Sequence, residues 1–412
     1  MRSAVLRCTP MLVVLVTACA SPATAPPPTA GPLPPTAPPA TSTPAATPTL
    51  VPTAVPTPTP GATAPAQQTF LDIHLWNGSA EVQLDGQSVQ PGRVPVGIGP
   101  HHVAALVDGQ VVAEVDPPPQ GGPVDLVVPP PHTPLAVIIE NQDEARPQSG
   151  LLDADIVYET LAEGGISRFM AVYLSRDSDR VGPVRSLRHY FAFLAGDYGA
   201  DLVHIGASPE GFSWRDAMNL KKLDETYADP GVFRVTNRRA PHNAYTATAP
   251  DRQFLADRGG QQGGSWGPLL ISDQAPPGEQ PGPSLTVTFP PWPYHVHYEW
   301  DAERGGYRRF MNNAQHLDAE SKEQIAPASV LIQFADIQPI PDDPALRVDV
   351  DLVNASGRLL VFTQGTQREG TWSKNGPRDA TQWRDNSGQP LVLPPGLVWV
   401  EIVPLNAAVT PS

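Results

Sequence analysis

The sequence feature that most constrains this chain is a tract over residues 20–66 built almost entirely from Pro, Thr and Ala. No charged residue occurs between Arg7 and Asp72. Such a tract cannot bury enough apolar surface to form a core, and its prolines favour extended polyproline II conformations. We therefore predict a disordered tether over residues 19–66, which at ~3.1 Å per residue reaches on the order of 100 Å.

The N-terminus has the organisation of an export signal. Arg2 and Arg7 form a positive segment, and the apolar run at residues 11–16 is shorter than the roughly 20 residues that a membrane-spanning helix needs. Small residues lead into Cys19, and this order resembles a bacterial lipobox, in which the cysteine is acylated and becomes the mature N-terminus. The resemblance implies a signal peptide over residues 1–18. An ordinary secretory signal with a coincidental cysteine is the alternative.

Charge and cysteine content exclude several classes of function. The 27 Lys+Arg against 42 Asp+Glu give a net charge of −15, which argues against a nucleic-acid partner. Cys8 and Cys19 are the two cysteines, so the folded part contains neither a disulfide framework nor a Cys-ligated zinc site. The chain also lacks a phosphate-binding Gly-rich loop, a dinucleotide fingerprint and an H-E-x-x-H motif, so we predict no cofactor.

Short alternating runs over residues 67–130 predict a small antiparallel β module. Asp85-Gly86 and Asp108-Gly109 separate such runs and are typical of type I′ hairpin turns. The module resembles the PEGA-type β modules of bacterial surface proteins, through residues 82–86, Pro95 and residues 99–103. A generic β spacer is the alternative.

Residues 131–275 alternate between strand-like and helix-like patterns. Strands are predicted at 135–140, 155–163, 166–175 and 201–205, and helices at 186–194 and 209–220, the second with Ser208 as its N-cap. This alternation predicts an α/β core domain in which helices cover a mixed sheet.

A Gly/Pro/Gln-rich loop at residues 258–283 leads into a β-rich domain over residues 276–412. Its predicted strands lie at 284–289, 295–300, 329–336, 347–353, 358–363 and 398–403.

Several motifs from residue 134 onward resemble those of the YerB-like lipoproteins, a family of unknown function. The motifs are Asn141, RPQSG at 146–150, ADIVYE at 154–159, EGGISRF at 163–169, VGPVRSLR at 181–188, HIGASP at 204–209, APHN at 240–243, GTWSK at 370–374 and PGLVWV at 395–400. The resemblance covers roughly 270 residues in the expected order. It implies an exported α/β domain followed by a β-rich domain, and no known activity.

Carboxylates flank the Gly164-Gly165 turn. If Glu163 pairs with Ile166, Glu159, Glu163 and Arg168 share one face of the hairpin. The three side chains form either a structural ion-pair cluster or a pair of carboxylates positioned for acid/base chemistry.

Cationic residues gather in the segments that follow. Arg185 and Arg188 stand at the start of a predicted helix, where positive charge is unfavourable, so either a glutamate or an anionic ligand should compensate them. His204 lies at the end of a predicted strand and Ser208 follows it, at the position where ligands bind in open α/β sheets; a core histidine and a helix cap are the alternatives. His242 and Asn243 lie in a polar loop that could reach the same cleft. The predicted ligand-binding residues are Arg146, Ser149, Arg168, Arg185, Ser186, Arg188, His204, Ser208, His242 and Asn243.

Two further sets of residues, histidines and tryptophans, each have a structural and a functional interpretation. His295 and His297 alternate on one predicted strand but lack a third ligand, so we predict no metal site. Trp372, Trp383 and Trp399 could stack on sugars, although buried core aromatics are the more common case.

The leading hypothesis is therefore a lipid-anchored protein on the outer face of a bacterial membrane. It binds an anionic cell-envelope component or an envelope-protein partner in a cleft lined by arginine and histidine side chains. The alternative is an envelope hydrolase or transferase that uses Glu159 or Glu163 with His204. A structural spacer or docking module is a third possibility.

Overall fold

The computed structural model describes residues 68–411, with gaps at 226–228, 230, 261–262 and 292. The predicted signal peptide, the Cys19 lipidation site and the predicted tether lie outside the described residues.

The first seven strands form a small two-sheet β module with its own core. They are β1 (Gln68–Trp76), β2 (Glu81–Leu84), β3 (Gln87–Val89), β4 (Gly92–Gly97), β5 (Val103–Val107), β6 (Gln110–Val115) and β7 (Gly122–Val127). The sheet orders are β4-β1-β7 and β3-β2-β5-β6. Both Asp-Gly turns have positive φ at each central residue, as a type I′ turn requires. β1 and β7 pair in parallel, so the expected purely antiparallel module is wrong in that pair.

The remaining elements follow in chain order. They are β8 (Leu135–Glu140), β9 (Ile156–Glu163), β10 (Ile166–Tyr173), α1 (His189–Tyr198), β11 (Asp201–His204), α2 (Pro209–Ala217), β12 (Lys222–Asp224), β13 (Phe233–Arg234), β14 (Ala244–Tyr245), α3 (Thr248–Ala256), β15 (Gln280–Pro281), β16 (Ser284–Thr288), β17 (His295–Asp301), β18 (Gly306–Met311), β19 (Ala314–Gln315), β20 (Ser329–Pro339), β21 (Val348–Asp351), β22 (Ala355–Thr363), β23 (Thr366–Lys374), β24 (Gln382–Asp385), β25 (Val398–Pro404) and β26 (Val409–Pro411).

One twelve-stranded sheet runs through both halves of this region. Its order is β12-β11-β8-β10-β9-β25-β20-β22-β23-β15, with β21 beside β20 and β24 beside β23. The late strand β25 lies between β9 and β20 and is parallel to both. The two segments that we expected to form separate domains therefore share a continuous sheet.

The expected α/β core with helices covering a mixed sheet is wrong. The described part of the chain is mostly strand and contains three α-helices. One face of the sheet packs against α1, where the Tyr158 and Tyr198 hydroxyls lie 2.7 Å apart. The other face packs against a second sheet, β19-β18-β17-β16-β26, from which Arg309 lies 4.3 Å from the Trp399 ring. Local alternation cannot show which layer covers a sheet when that layer comes from about 140 residues later in the chain.

A β-bulge changes the expected arrangement of the β9–β10 hairpin. Glu163 pairs with Ile166 as predicted, but the register then shifts and places Arg168 opposite Thr160 and Phe169 opposite Glu159. An extra residue in a strand reverses the face of the sheet to which the side chains beyond it point. Glu159 and Glu163 therefore lie on opposite faces of the sheet. The expectation that Glu159, Glu163 and Arg168 share one face is therefore wrong.

Candidate functional site

Glu163 joins two arginines on the face of the sheet that packs against α1. Arg168 and Arg188 each donate to one oxygen of the Glu163 carboxylate, Arg188 Nη2 at 2.6 Å from Oε2. Burial alone would raise the pKa of Glu163, but the two guanidinium groups outweigh it and hold the pKa below its ordinary value. Glu163 is therefore ionised and satisfied, which makes it a poor general acid.

A second carboxylate, Glu140, extends this arrangement along the sheet. Glu140 lies directly opposite Arg168 on the neighbouring strand β8. Arg185 Nε is 2.9 Å from its Oε1, and His242 Nδ1 is 3.0 Å from its Oε2. Sequence reasoning missed Glu140, although its place at the carboxyl end of an apolar strand was a signal for a site residue.

Together these side chains form what we call the basic cluster: Glu140, Glu163, Arg168, Arg185, Arg188 and His242. Three guanidinium groups and one imidazole are held by two carboxylates. Arg185 and Glu163 reach solvent, with 25% and 28% of their side chains exposed. The structure thus brings together Arg168, Arg185, Arg188 and His242, and Ser186 takes part through its carbonyl oxygen, which accepts from Arg168 Nη1 at 2.8 Å.

His204 does not join the basic cluster. Its side chain is fully buried, Nδ1 donates to the Gly206 carbonyl at 2.9 Å, and the Asp224 carboxylate lies 3.7 Å away. Burial lowers its pKa to about 4, so the imidazole is neutral at pH 7. Within the core it cannot serve as the partner of either glutamate.

The other predicted ligand-binding residues have separate structural partners. Ser208 caps α2 by accepting from Gly211 N at 3.1 Å, which confirms its predicted capping role. Ser149 donates to Glu320 at 2.9 Å. Asn243 accepts from Arg234 at 2.8 Å. These three side chains therefore do not converge on the basic cluster.

Arg146 lies at a different opening. Its Nε donates to Asn141 Oδ1 at 3.1 Å and its Nη2 to the Asn141 carbonyl at 2.8 Å. It lines a depression of about 560 Å³ together with Ser167 and Tyr294. The depression collects side chains from residues 141–167 and from residues 293–313, but the basic cluster does not line it.

Glu159 belongs to a dry ionic network between the two sheets. Its carboxylate accepts from Arg309, from Ser167 Oγ at 2.6 Å and from Tyr294 Oη at 2.7 Å. Glu401 lies 3.6 Å from the same guanidinium, and burial followed by repulsion from Glu159 raises its pKa well above the ordinary value. The side chains of Glu159, Arg309 and Glu401 are all fully buried. We call Glu159, Arg309 and Glu401 the dry network.

These positions remove the geometry that the hydrolase alternative required. Glu159 and Glu163 are on opposite faces, each is bound by arginine, and neither contacts His204. Trp372, Trp383 and Trp399 are at most 3% exposed, which confirms that they are core aromatics.

Among the residues that the structure describes, no group of three or more His, Cys, Asp or Glu side chains is arranged to hold an ion. Over the same residues, no helix combines the length and apolar character needed to cross a bilayer.

Two family profiles match this chain. The "Protein of unknown function (DUF3048) N-terminal domain" covers residues 126–261, and the corresponding C-terminal domain covers residues 285–400. The fold described above thus corresponds to a two-domain family whose activity is unknown.

A curated relative carries the name "Putative lipoprotein YerB", from Bacillus subtilis (strain 168). It is 33% identical over 279 residues, which are 67% of this chain and 82% of the relative. The crystal structure of the YerB protein from Bacillus subtilis matches with a TM-score of 0.60 at 30% identity, covering 68% of this chain and 93% of that chain. The chain therefore belongs to the YerB-like family, as its motifs predicted. The family profiles begin at residue 126, so the resemblance of the β module to PEGA-type modules stays a prediction.

Proposed function

We propose that this protein is an exported lipoprotein, anchored through Cys19, that binds an anionic component of the cell envelope at the basic cluster. The observation that carries the binding proposal is the local surplus of cationic groups over carboxylates in a chain whose overall charge is −15. A localised positive site on an acidic protein attracts an anion to one place and repels it elsewhere. Guanidinium groups also recognise phosphate and carboxylate in a bidentate geometry.

Arg185 is the residue through which a ligand would enter. It contacts Glu140 through one nitrogen at 2.9 Å and a quarter of its side chain is exposed, whereas the side chains of Arg168 and Arg188 are 6% and 10% exposed. An incoming anion can therefore bind the outer edge of Arg185 without breaking the Glu163 ion pairs. The more deeply buried Arg168 and Arg188 hold the basic cluster in place and add positive charge to it.

The binding test compares two arginine variants of the full chain. Isolated bacterial cell walls, with and without their anionic polymers, serve as the probe in a pelleting assay at several salt concentrations. Arg185→Ala should weaken binding several-fold and reduce its salt dependence, because one charged contact is lost. Arg304→Ala removes an exposed arginine from the turn between β17 and β18, and should leave binding unchanged. Equal binding by wild type and Arg185→Ala would show that the basic cluster is structural only.

The anchor is tested separately with matched cysteine variants. Cys19→Ser should abolish fatty-acid labelling and release the protein from membranes, because acyl chains supply the anchoring free energy. Cys8→Ser lies in the predicted signal peptide and should change neither property. Unchanged labelling of Cys19→Ser would contradict the lipid anchor and leave the binding proposal intact.

A further inference from the structure

The β module is fixed to the rest of the protein by a compact set of hydrogen bonds. Asn77 donates from its backbone N to the Ile271 carbonyl at 3.0 Å and from Nδ2 to the Leu269 carbonyl at 2.9 Å. Its Oδ1 accepts from Ile271 N at 2.6 Å. The Trp266 indole N–H donates to the Val128 carbonyl at 2.8 Å. Asn77 is buried and both donates and accepts hydrogen bonds across this contact. The β module is therefore held in a fixed position against the core.

A cleft of about 810 Å³ lies where the two parts meet. The module contributes His74 and Trp76 to its lining, and the core contributes Trp266. Both tryptophans are only partly buried, unlike the core residues Trp372 and Trp399. Partly exposed indole rings on two walls of one cleft provide flat apolar surfaces for a ligand.

The charges of the cleft exclude the ligand class proposed for the basic cluster. Among the described residues that line it, Asp155 and Asp273 are acidic and none is Lys or Arg. Asp155 is already engaged by the backbone N–H groups of Leu174 and Ser175. The cleft therefore disfavours phosphate-rich or carboxylate-rich ligands and suits an uncharged one.

Two kinds of uncharged ligand stack on tryptophan, namely polyproline II peptides and sugars. The partners of the indole N–H groups help to distinguish between them. A polyproline II peptide presents unpaired carbonyl groups that need donors. Here neither indole N–H is free for such a carbonyl, because Trp76 Nε1 donates to Asp125 at 2.9 Å and Trp266 Nε1 to Val128 O, so a peptide would depend on side chains such as Gln90 and Gln274 for its donors. Both rings are partly exposed, with the His74 ring 5.4 Å from that of Trp76, and Ser272, Gln274 and Gln90 supply polar groups around them. Ring stacking combined with hydroxyl and amide side chains suits a sugar.

We propose that this cleft binds an uncharged oligosaccharide, with pyranose rings stacked on Trp76 and Trp266. The site is separate from the basic cluster and does not depend on it. Trp76 and Trp266, the two stacking residues, lie outside the residues matched by the family profiles, which are 126–261 and 285–400.

The test measures binding of chitotetraose and cellotetraose to the full chain by calorimetry. Trp76→Ala and Trp266→Ala should each weaken the affinity for the bound sugar at least five-fold. Trp214→Ala, which removes a tryptophan that is 40% exposed on α2, is the matched control and should change nothing. Arg185→Ala should also leave sugar binding unchanged, which separates this site from the basic cluster.

Acrylamide quenching of the wild-type tryptophan fluorescence provides a measurement that needs no variant. Saturating sugar should protect a fraction of the fluorescence from the quencher. No binding of either sugar at millimolar concentration, no protection, or an equal loss in Trp214→Ala would overturn the proposal. Binding of decaproline in place of both sugars would overturn it as well and would identify a peptide groove.

Discussion

The two faces of the β9–β10 hairpin carry the same chemistry in different surroundings. On one face, Glu159 and Arg309 meet in the dry network with both side chains fully buried. On the other, Glu163 meets Arg168 and Arg188 in the basic cluster, with 28% of its side chain exposed. Breaking an ion pair is most costly where neither water nor salt can replace the lost partner. Access to solvent, more than the number of ion pairs, therefore separates a structural network from a candidate binding surface.

The largest expected effect is in the dry network. Arg309→Met should destabilise the fold by about 3–5 kcal/mol, because it leaves Glu159 buried without its cation. The measurement is urea unfolding of the full chain. Adding Glu159→Gln to this variant should recover part of the loss. A cost below about 1 kcal/mol would show that water replaces the guanidinium and that the network is not dry.

The next effect concerns His204, which lies near the basic cluster in sequence but inside the core. Its pKa is lowered from 6.5 to about 4 on folding, so the unfolded chain binds more protons in that interval. Stability should therefore fall as the pH decreases from about 6.5 to 4, with His204 contributing up to ~3 kcal/mol of the loss. His204→Gln should flatten this part of the urea-unfolding profile. An NMR titration midpoint near 6.5 for the His204 ring would contradict the dry placement.

A smaller effect is expected in the basic cluster, where Glu163 is partly exposed. Glu163→Gln should cost about 1–2 kcal/mol, because Arg168 and Arg188 lose a shared charge that water partly replaces. Unfolding at low and at molar salt measures the cost, which should shrink as salt screens the two arginines. A penalty equal to that of Arg309→Met would remove the distinction between the two faces.

The smallest effect is expected at an ion pair whose arginine is half exposed. Arg304 lies 3.8 Å from Asp301 in the turn between β17 and β18, with half of its side chain exposed. Arg304→Ala should change the free energy of unfolding by about 0.5 kcal/mol or less, since exposed pairs contribute little. The same urea-unfolding experiment measures this cost, which should be the smallest among the ion pairs compared. A cost above 1 kcal/mol would mean that exposure is a poor guide to these ion pairs.

Much of the strand content could be predicted from the sequence. β8 has the predicted bounds, and the six strands predicted in the second half lie within a few residues of observed strands, whereas β18, β23 and β24 were not predicted. Two-residue alternation and Asp-Gly or Gly-Gly turns are local signals, because they reflect side-chain direction and backbone φ over a few residues. The N-cap at Ser208 is local in the same way.

What the sequence did not predict depends on long-range pairing. The insertion of β25 beside β9 joins segments about 240 residues apart, and no local pattern records it. The single bulge at Ala162 in β9 separated Glu159 from Glu163 and Arg168, so Glu159 has partners that the sequence did not predict. Arg309 and Glu401 were missed because their role exists only once the second sheet packs on the first.

The position of β25 also has a consequence for how this protein is made. Until Val398–Pro404 is in place, β9 and β20 each present an unpaired edge along the middle of the largest sheet. Open edges of that kind invite pairing with other chains. A polypeptide that ends before residue 398 leaves the middle of this sheet unpaired, so the N-terminal family domain can be completed only after residue 398 has been synthesised.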